Sequence, residues 1–481
     1  LIIVQNVVSF FSGRIRRLFG NSTAAGKKQS FKLMLHGFPG GTEGLELIVR
    51  FCYNGGRIDI SPSNVILLQV VAKFMEINEN QTKKEINENQ TKKYLENTHL
   101  WTWSELLDCL KQCQELLRFM LSSYVVQEIL DAVVEKISTL INISSPFQCS
   151  DNSSLLFSGD IISTYSSRSA RSSSCQAYSW LQDLEFLSID LFEKVSSTMI
   201  SRRLDRRIIC AFLLHYQKVK CVGLLPSDQK CKIVEILISS LCSLDGISCF
   251  DFPFRSLCDL LRICLSFKMR NFWVKKVEIM IGARLDEATL DDLLVRARGR
   301  KTCAYDASLI LRLLKVFLGQ RKNILFVRRL EKVGFLIDLY LAEVAPDRKL
   351  KPSNFLAIAL CLPGSARESH DRFFEAVDMF FKVHKSISKE EKMKICSALN
   401  YDKMSSESLV NIAKNAVFPT SAAAAALFFL QSESENRSNY VANLELRSNS
   451  SFFANEDEQI LAQLRKGKEY KKLQKKFSRC C

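Results

Sequence analysis

His370 and Asp371, adjacent in "ESHDRFFEAVDMFFKVH", are the residue types of a general base and the carboxylate that orients it. Their spacing works against that chemistry. Neighbouring residues on a helix diverge by about 100°, so ring and carboxylate do not readily share a hydrogen bond. Capping of a helix by one of the two is the reading the spacing favours. "GFPGGTEG" is the most glycine-rich run, yet no Lys-Ser/Thr follows it, so it is not a phosphate loop. It reads as a turn feeding a helix near Thr42. Asp291 and Asp292 in "LDEATLDDLLV" fall in an amphipathic pattern, where carboxylates cap or face solvent. The 17 cysteines include no CxxC pair; Cys109 and Cys113 stand one helical turn apart, and none of the 5 histidines clusters with a cysteine. Small buried thiols in a reducing cytosol account for that pattern. No catalytic, cofactor-binding or metal-ligating constellation emerges, and the residues point to a non-enzymatic interaction protein.

The elements that would position any site are mostly helical. Gly and Pro are scarce, and Leu/Ile/Phe-rich stretches repeat at three- and four-residue intervals. Residues 1–140 combine a short β-like start with helices. In "SPSNVILLQVVAKFMEI", Ser61 is placed to N-cap and Pro62 to open the helix. In "SELLDCLKQCQELL" Ser104 is the expected cap, with Leu106, Leu107, Leu110 and Leu117 on one face. Residues 141–179 are Ser-rich and read as a linker open to phosphorylation. From Trp180 a long helical region begins, with Leu184, Leu187, Leu191, Val195 and Met199 as a buried stripe. Amphipathic segments recur at 208–220, 231–243, 255–267, 307–318, 326–342 and 372–384 without a fixed period, which excludes a regular solenoid. In "AYDASLILRLL", Asp306 is placed to cap a helix that buries Leu309, Ile310, Leu313 and Leu314. Tyr305 beside it reads either as packing at the heart of that region or as an exposed contact or phosphorylation site.

Residues 432–481 turn polar and then basic, with a broken heptad that suggests a short coiled coil. The densest part of the net charge of +16 is the very end: "RKGKEYKKLQKKFSRCC" holds eight Lys/Arg against a single Glu. No zinc finger or base-reading motif accompanies the charge, so nucleic acid is not the expected partner. Lys471, Lys472, Lys475 and Lys476 suit an anionic membrane surface, with Phe477 dipping in and Cys480 and Cys481 as acylation candidates. A bland basic terminus is the competing reading. The longest apolar run, near "AAAAALFFL", is too short to cross a bilayer. The chain begins at Leu1 and shows no signal-peptide pattern, which suggests an open reading frame entered past its start, and a cytoplasmic protein.

Longer motifs are more specific. "VEIMIGARLDEATLDDLLV", "YDASLILRLLKVFL", "IDLYLAEVAPDRKLKPSNFLAIALCLPGSARESHDRFFEAVDMFFKVH" and "FPTSAAAAALFFLQ" occur in fixed order and resemble the plant NPH (non-phototropic hypocotyl) domain over residues 180–431. Upstream, "SGRIRRLF" and "HGFPGGTEGLELIVRFCYNGGRIDISPSNVILLQVVAKFMEI" look like an α/β BTB/POZ domain truncated at its start. The resemblance implies a mainly α chain: a BTB/POZ-like domain with following helices at 1–140, a Ser-rich linker at 141–179, a helical NPH domain at 180–431 and a polar, basic tail at 432–481. It also implies a role as substrate adaptor of a cullin-three RING ubiquitin ligase, in phototropic or developmental signalling. Expected partners are the cullin-three scaffold, client proteins and, through the BTB fold, a homo- or heterodimer. The alternative it carries is a plasma-membrane scaffold beside phototropin-like kinases that never engages cullin. The family's usual "YDVD" is "YDAS" at Tyr305–Ser308, which loses an acid and bears on client choice more than on fold.

One stretch fits neither helix nor strand logic. "EINENQTKK" occurs twice, at Glu76–Lys84 and Glu85–Lys93. Nine residues are two and a half helical turns, and an odd number in a strand, so the copies cannot face equivalent surroundings. In the family pattern one copy supplies a short link between helices, and the second reads as an insertion at a tolerant junction or a product of how the coding sequence is assembled. Deleting Glu85–Lys93 is expected to leave stability unchanged or slightly raised, since halving a loop changes closure by only about 0.6 kcal/mol. Urea unfolding checks this, and a loss of several kcal/mol would make both copies structural.

Overall fold

The computed structural model describes residues 5–20, 35–77, 94–116, 119, 124–144, 178–244, 251–297, 304–320 and 326–432. The second nonapeptide, most of the Ser-rich stretch and the basic tail lie outside them. The described residues are mainly α-helical and pack as two compact units, one of residues 1–253 and 263–273, the other of 254–262 and 274–481. Pairing between extended segments is limited, among the described residues, to two isolated bridges, Ser12 with Ile77 and Arg296 with Tyr305.

The first unit opens with α1 (Gln5–Phe11) and α2 (Gly13–Gly20), so the expected β-like start is helical. Val8, Phe11 and Ile15 recur at helical spacing; Val8 and Ile15 are buried, and the Phe11 ring meets Phe51 edge-on at 5.5 Å. Ser12 between the helices donates its hydroxyl to the Met75 carbonyl at 2.6 Å. α3 (Gly41–Tyr53) buries Ile48, Phe51 and Cys52 against α4 (Val65–Phe74), whose Val65, Ile66, Leu68 and Val71 are sealed. α4 begins later than Ser61 and Pro62 suggest. The Asn64 carboxamide accepts from the Ser61 N–H and donates to the Asp59 carbonyl, both at 2.9 Å, winding 61–64 into a turn first. α5 (Trp103–Leu116) is capped by Thr102 rather than Ser104. Thr102 Oγ1 accepts from the Glu105 N–H at 3.3 Å and the Glu105 carboxylate accepts from the Thr102 N–H at 2.7 Å. That reciprocal box needs an acid three residues on, where Ser104 has Leu107.

α6 (Tyr124–Ser144) lies against α5 and against α8, reached after the short α7 (Trp180–Asp183). Of the expected stripe, Leu191, Val195 and Met199 lie on α8 (Ile189–Ser201) and Leu184 and Leu187 in the stretch before it, and all five are buried. Polar bonds join the two stretches: Gln114 accepts from the Ser188 N–H at 2.6 Å, and Asp131 pairs with Arg202 at 2.8 Å. α9 (Arg206–Val222) stacks Tyr216 on Phe192 with centroids 3.9 Å apart, and α10 (Ser227–Ser243) packs back on α9 and α8. α11 (Phe254–Ser266) and α12 (Asn271–Ala283) divide their residues between the units.

In the second unit α13 (Leu290–Leu293) starts on a Thr289–Asp292 capping box, the role expected of that acidic pair. α14 (Ala307–Gly319) is followed by α15 (Phe326–Val344), α16 (Pro352–Cys361), α17 (Asp371–Val383), α18 (Lys389–Cys396), α19 (Ser406–Lys414) and α20 (420–432). α15 is the hub, packing against α16, α17 and the 364–366 turn. The closest approach is at Gly334, where a Cβ would overlap the Ala366 carbonyl oxygen. Gly334→Ala is therefore expected to cost about 1–3 kcal/mol, the range for overpacking against immovable backbone. Gly319→Ala, at a helix end with open space around it, is expected to be neutral or slightly stabilising. Thermal melts of the two variants against the parent check the pair.

Candidate functional site

The residues singled out for chemistry fall on two helix starts of the second unit. At the first, Asp306 caps α14: its Oδ1 accepts from the N–H groups of Ser308 and Leu309 at 3.1 and 3.0 Å. Leu309, Ile310, Leu313 and Leu314 are buried, as the pattern requires. Ser308 donates its hydroxyl to Asp306 at 2.5 Å and accepts from Arg312 at 3.2 Å. Arg312 also grips Glu278 of α12 by two nitrogens, at 3.0 and 2.8 Å. Glu278 is only 5% exposed, so this is an ion pair that fixes α12 to α14. The serine of "YDAS" thus hydrogen-bonds where a second acid would have met Arg312. Tyr305 is half-buried, neither at the heart of the unit nor free on its surface.

At the second start, His370 is 3% exposed and stands just before α17. Its Nδ1 accepts from the Asn400 N–H at 3.2 Å, which places the proton of the neutral ring on Nε2. Nε2 has no hydrogen-bond partner among the described residues. Burial, then the charges of Arg367 and Lys403, push its pKa down to about 4. Asp371 does not orient the ring. Burial works against its charge, but hydrogen bonds from the Ser405 backbone and from the hydroxyls of Ser408, Ser369 and Ser405 hold its pKa below the usual value. The Ser405 N–H reaches it at 2.8 Å. The pair therefore serves the fold as two separate fasteners, and neither is the side-chain cap of α17.

Sequence reasoning missed the group between them. Arg367 and Asp338, 3% and 5% exposed, share two hydrogen bonds at 2.8 and 3.1 Å. Arg367 Nη1 also donates to the Ala359 carbonyl at 3.3 Å, and its guanidinium lies 4.9 Å from the centre of the Phe373 ring. Lys403 donates to the carbonyls of Gly364 and Arg367 at 2.9 and 2.7 Å. An aspartate in the apolar run "GFLIDLYLAEV" was the available signal, because a buried acid requires a buried cation.

None of this is arranged for group transfer. Among the described residues no set of three or more His, Cys, Asp or Glu could hold a metal ion, and no helix is long and apolar enough to cross a membrane. In the first unit an open depression of about 610 Å³ lies where α3 ends, lined by residues including Arg50, Tyr53, Arg57 and Asp59. The tail candidates Lys471, Lys472, Lys475, Lys476, Phe477, Cys480 and Cys481 lie outside the described residues.

Comparison with known proteins locates these features. The model of the NPH3 family matches residues 178–408. BTB/POZ domain-containing protein At3g22104 of Arabidopsis thaliana is 39% identical over 425 residues, covering 87% of this chain and 80% of its own. BTB/POZ domain-containing protein At1g50280 from the same plant is 31% identical over 454 residues, covering 88% and 84%. At3g50840, named likewise, is 31% identical and covers 83% and 70%. No solved structure matches.

The buried histidine sets a pH dependence. A base whose folded pKa lies below its unfolded value of 6.5 stabilises fully above 6.5, and that contribution is lost as pH falls toward about 4. Between pH 7 and 5 the parent is expected to lose about 2 kcal/mol from this group. His370→Asn keeps an acceptor for the Asn400 N–H and cannot be protonated, so its loss over the same range should be smaller by that amount. Urea unfolding at the two pH values measures it.

Proposed function

The chain belongs to the plant BTB/POZ–NPH3 family, and from that premise we propose that it is the substrate adaptor of a cullin-three RING ubiquitin ligase. In this reading the BTB/POZ-like residues dock the cullin, the NPH3 region selects the client, and the ubiquitin chemistry belongs to the cullin's other partners. The observation that carries the proposal is the packing of the described residues of 103–116 and 124–144 onto 180–202. Gln114, Gln127 and Asp131 bond to Ser188, Thr198 and Arg202, so the segment following the BTB/POZ-like part and the first helices of the NPH3 region are one body. An adaptor needs that rigidity, because a client held on a loose tether meets the ligase's active end at low effective concentration. The structural employment of His370, Asp371 and Asp306 agrees with a protein that works by holding surfaces together.

The outcome expected is recovery of cullin-three with a tagged full chain from plant extract, lost when the BTB/POZ-like residues 1–77 are removed. Client turnover should then depend on the proteasome. Reproducible absence of cullin-three from the precipitate, with phototropin-type kinases present, would instead support a signalling scaffold.

A further inference from the structure

A surface helix ordinarily turns a charged or polar face to water, and α20 does not. Residues 415–432, "NAVFPTSAAAAALFFLQS", hold no charged side chain. One face of α20 turns inward: Ala422 and Ala426 are buried, and the Phe429 ring stacks on Tyr401 with centroids 6.0 Å apart. The opposite face carries Ala424, Leu427, Phe428 and Gln431, all exposed. Their spacing of three and four residues makes them one continuous stripe on a single helix. Leu427 is 49% exposed, and the Phe428 ring meets its chain neighbour Phe429 edge-on at 5.7 Å yet leaves the residue 67% exposed. The outward face of α17, by contrast, surrounds its exposed Met379 with Arg372, Glu375 and Lys382. A stripe without charge calls for cover.

The size of the stripe selects what covers it. A helix over 420–432 presents a face about 20 Å long and 10 Å wide, on the order of 200 Å². A stable contact between separate proteins takes about 800 Å² on each side. A partner on the same chain needs less, because a tether makes binding intramolecular at an effective concentration on the order of 1 mM. The chain supplies such a partner. Residues 433–481 continue from the end of α20 itself. Within them "FANEDEQILAQL" spaces Phe453, Ile460, Leu461 and Leu464 so that a helix would gather all four on one face. The connection 433–452 can reach about 70 Å, well beyond the length of α20.

We propose that the outward face of α20 seats residues 453–464 of the same chain, with Phe453, Ile460 and Leu464 covering Leu427 and Phe428. The apolar and acidic part of the tail is then held on the second unit, and the basic residues from Arg465 onward are presented from a fixed place beside it. The contact is independent of cullin docking.

Hydrogen exchange of the full chain, read by mass spectrometry on peptides covering 453–464, tests it. These amides are expected to exchange at least about tenfold more slowly than a free coil, with no change on dilution. Leu427→Ser with Phe428→Ser should bring them within about twofold of coil, while exchange in α15 stays as in the parent. Ile460→Ser with Leu464→Ser leaves the packing of α20 untouched and should have the same effect, together with increased binding of an apolar dye. Leu360→Ser, at an exposed leucine elsewhere in the second unit, should change nothing. Coil-rate exchange of 453–464 in the parent overturns the proposal, as does protection that survives the Leu427 and Phe428 substitutions. Protection that fades on dilution, with a dimer at high concentration, would overturn it in favour of a contact between copies.

Discussion

The buried pair of Arg367 and Asp338 is the constraint around which the second unit is arranged. Taking both charges out of water carries a large desolvation penalty, recovered only with near-ideal geometry and satisfied neighbours. Here both carboxylate oxygens meet Nε alone, the Ala359 carbonyl takes Nη1 and Phe373 supplies a ring face. Nη2 has no hydrogen-bond partner among the described residues and burial holds the Asp338 pKa above its usual value, so the penalty is only partly offset. The pair ties α15 to the connection between α16 and α17. Gly334 lets that connection come within backbone contact, and Lys403, His370 and Asp371 then fasten the 400–405 segment to it. Loss of either charge would strand the other unpaired in a buried site.

The sequence was most legible where a single helix decides the matter. The Leu191, Val195 and Met199 part of the stripe and the Asp306 cap follow from local spacing, and both appear. It misled where two local solutions compete. Ser61–Pro62 and Ser104 are good openings on paper, but a carboxamide that ties a turn and an acid in the right register outbid them. The apolar start looked extended because Val and Ile favour strands, yet burial against Phe51 selects the helix. α16, whose apolar residues ring it, and α18, short and charged, have little periodicity to read, and neither is among the amphipathic segments expected.

The candidate site was legible in residue type and not in role. His370 and Asp371 were visible as a pair, but the fold turns them to different partners: the ring to the Asn400 backbone, the carboxylate to Ser405. Adjacent residues point apart on a helix, and which neighbour each meets is decided by a segment some thirty residues downstream that no local pattern foretells. Functional specificity then rests on surfaces. Their code is the distribution of exposed charge and apolar area, for which a single sequence carries no period.

The contacts of α5 and α6 with the stretch from Ser188 to Arg202 have a further consequence. They bracket the Ser-rich residues 145–177 and join what lies on either side without relying on them. A protease cutting between those residues would sever the covalent chain while leaving the two fragments bound edge to edge. The nicked protein would behave as a heterodimer of its own halves, running as one species in solution and as two only after denaturation.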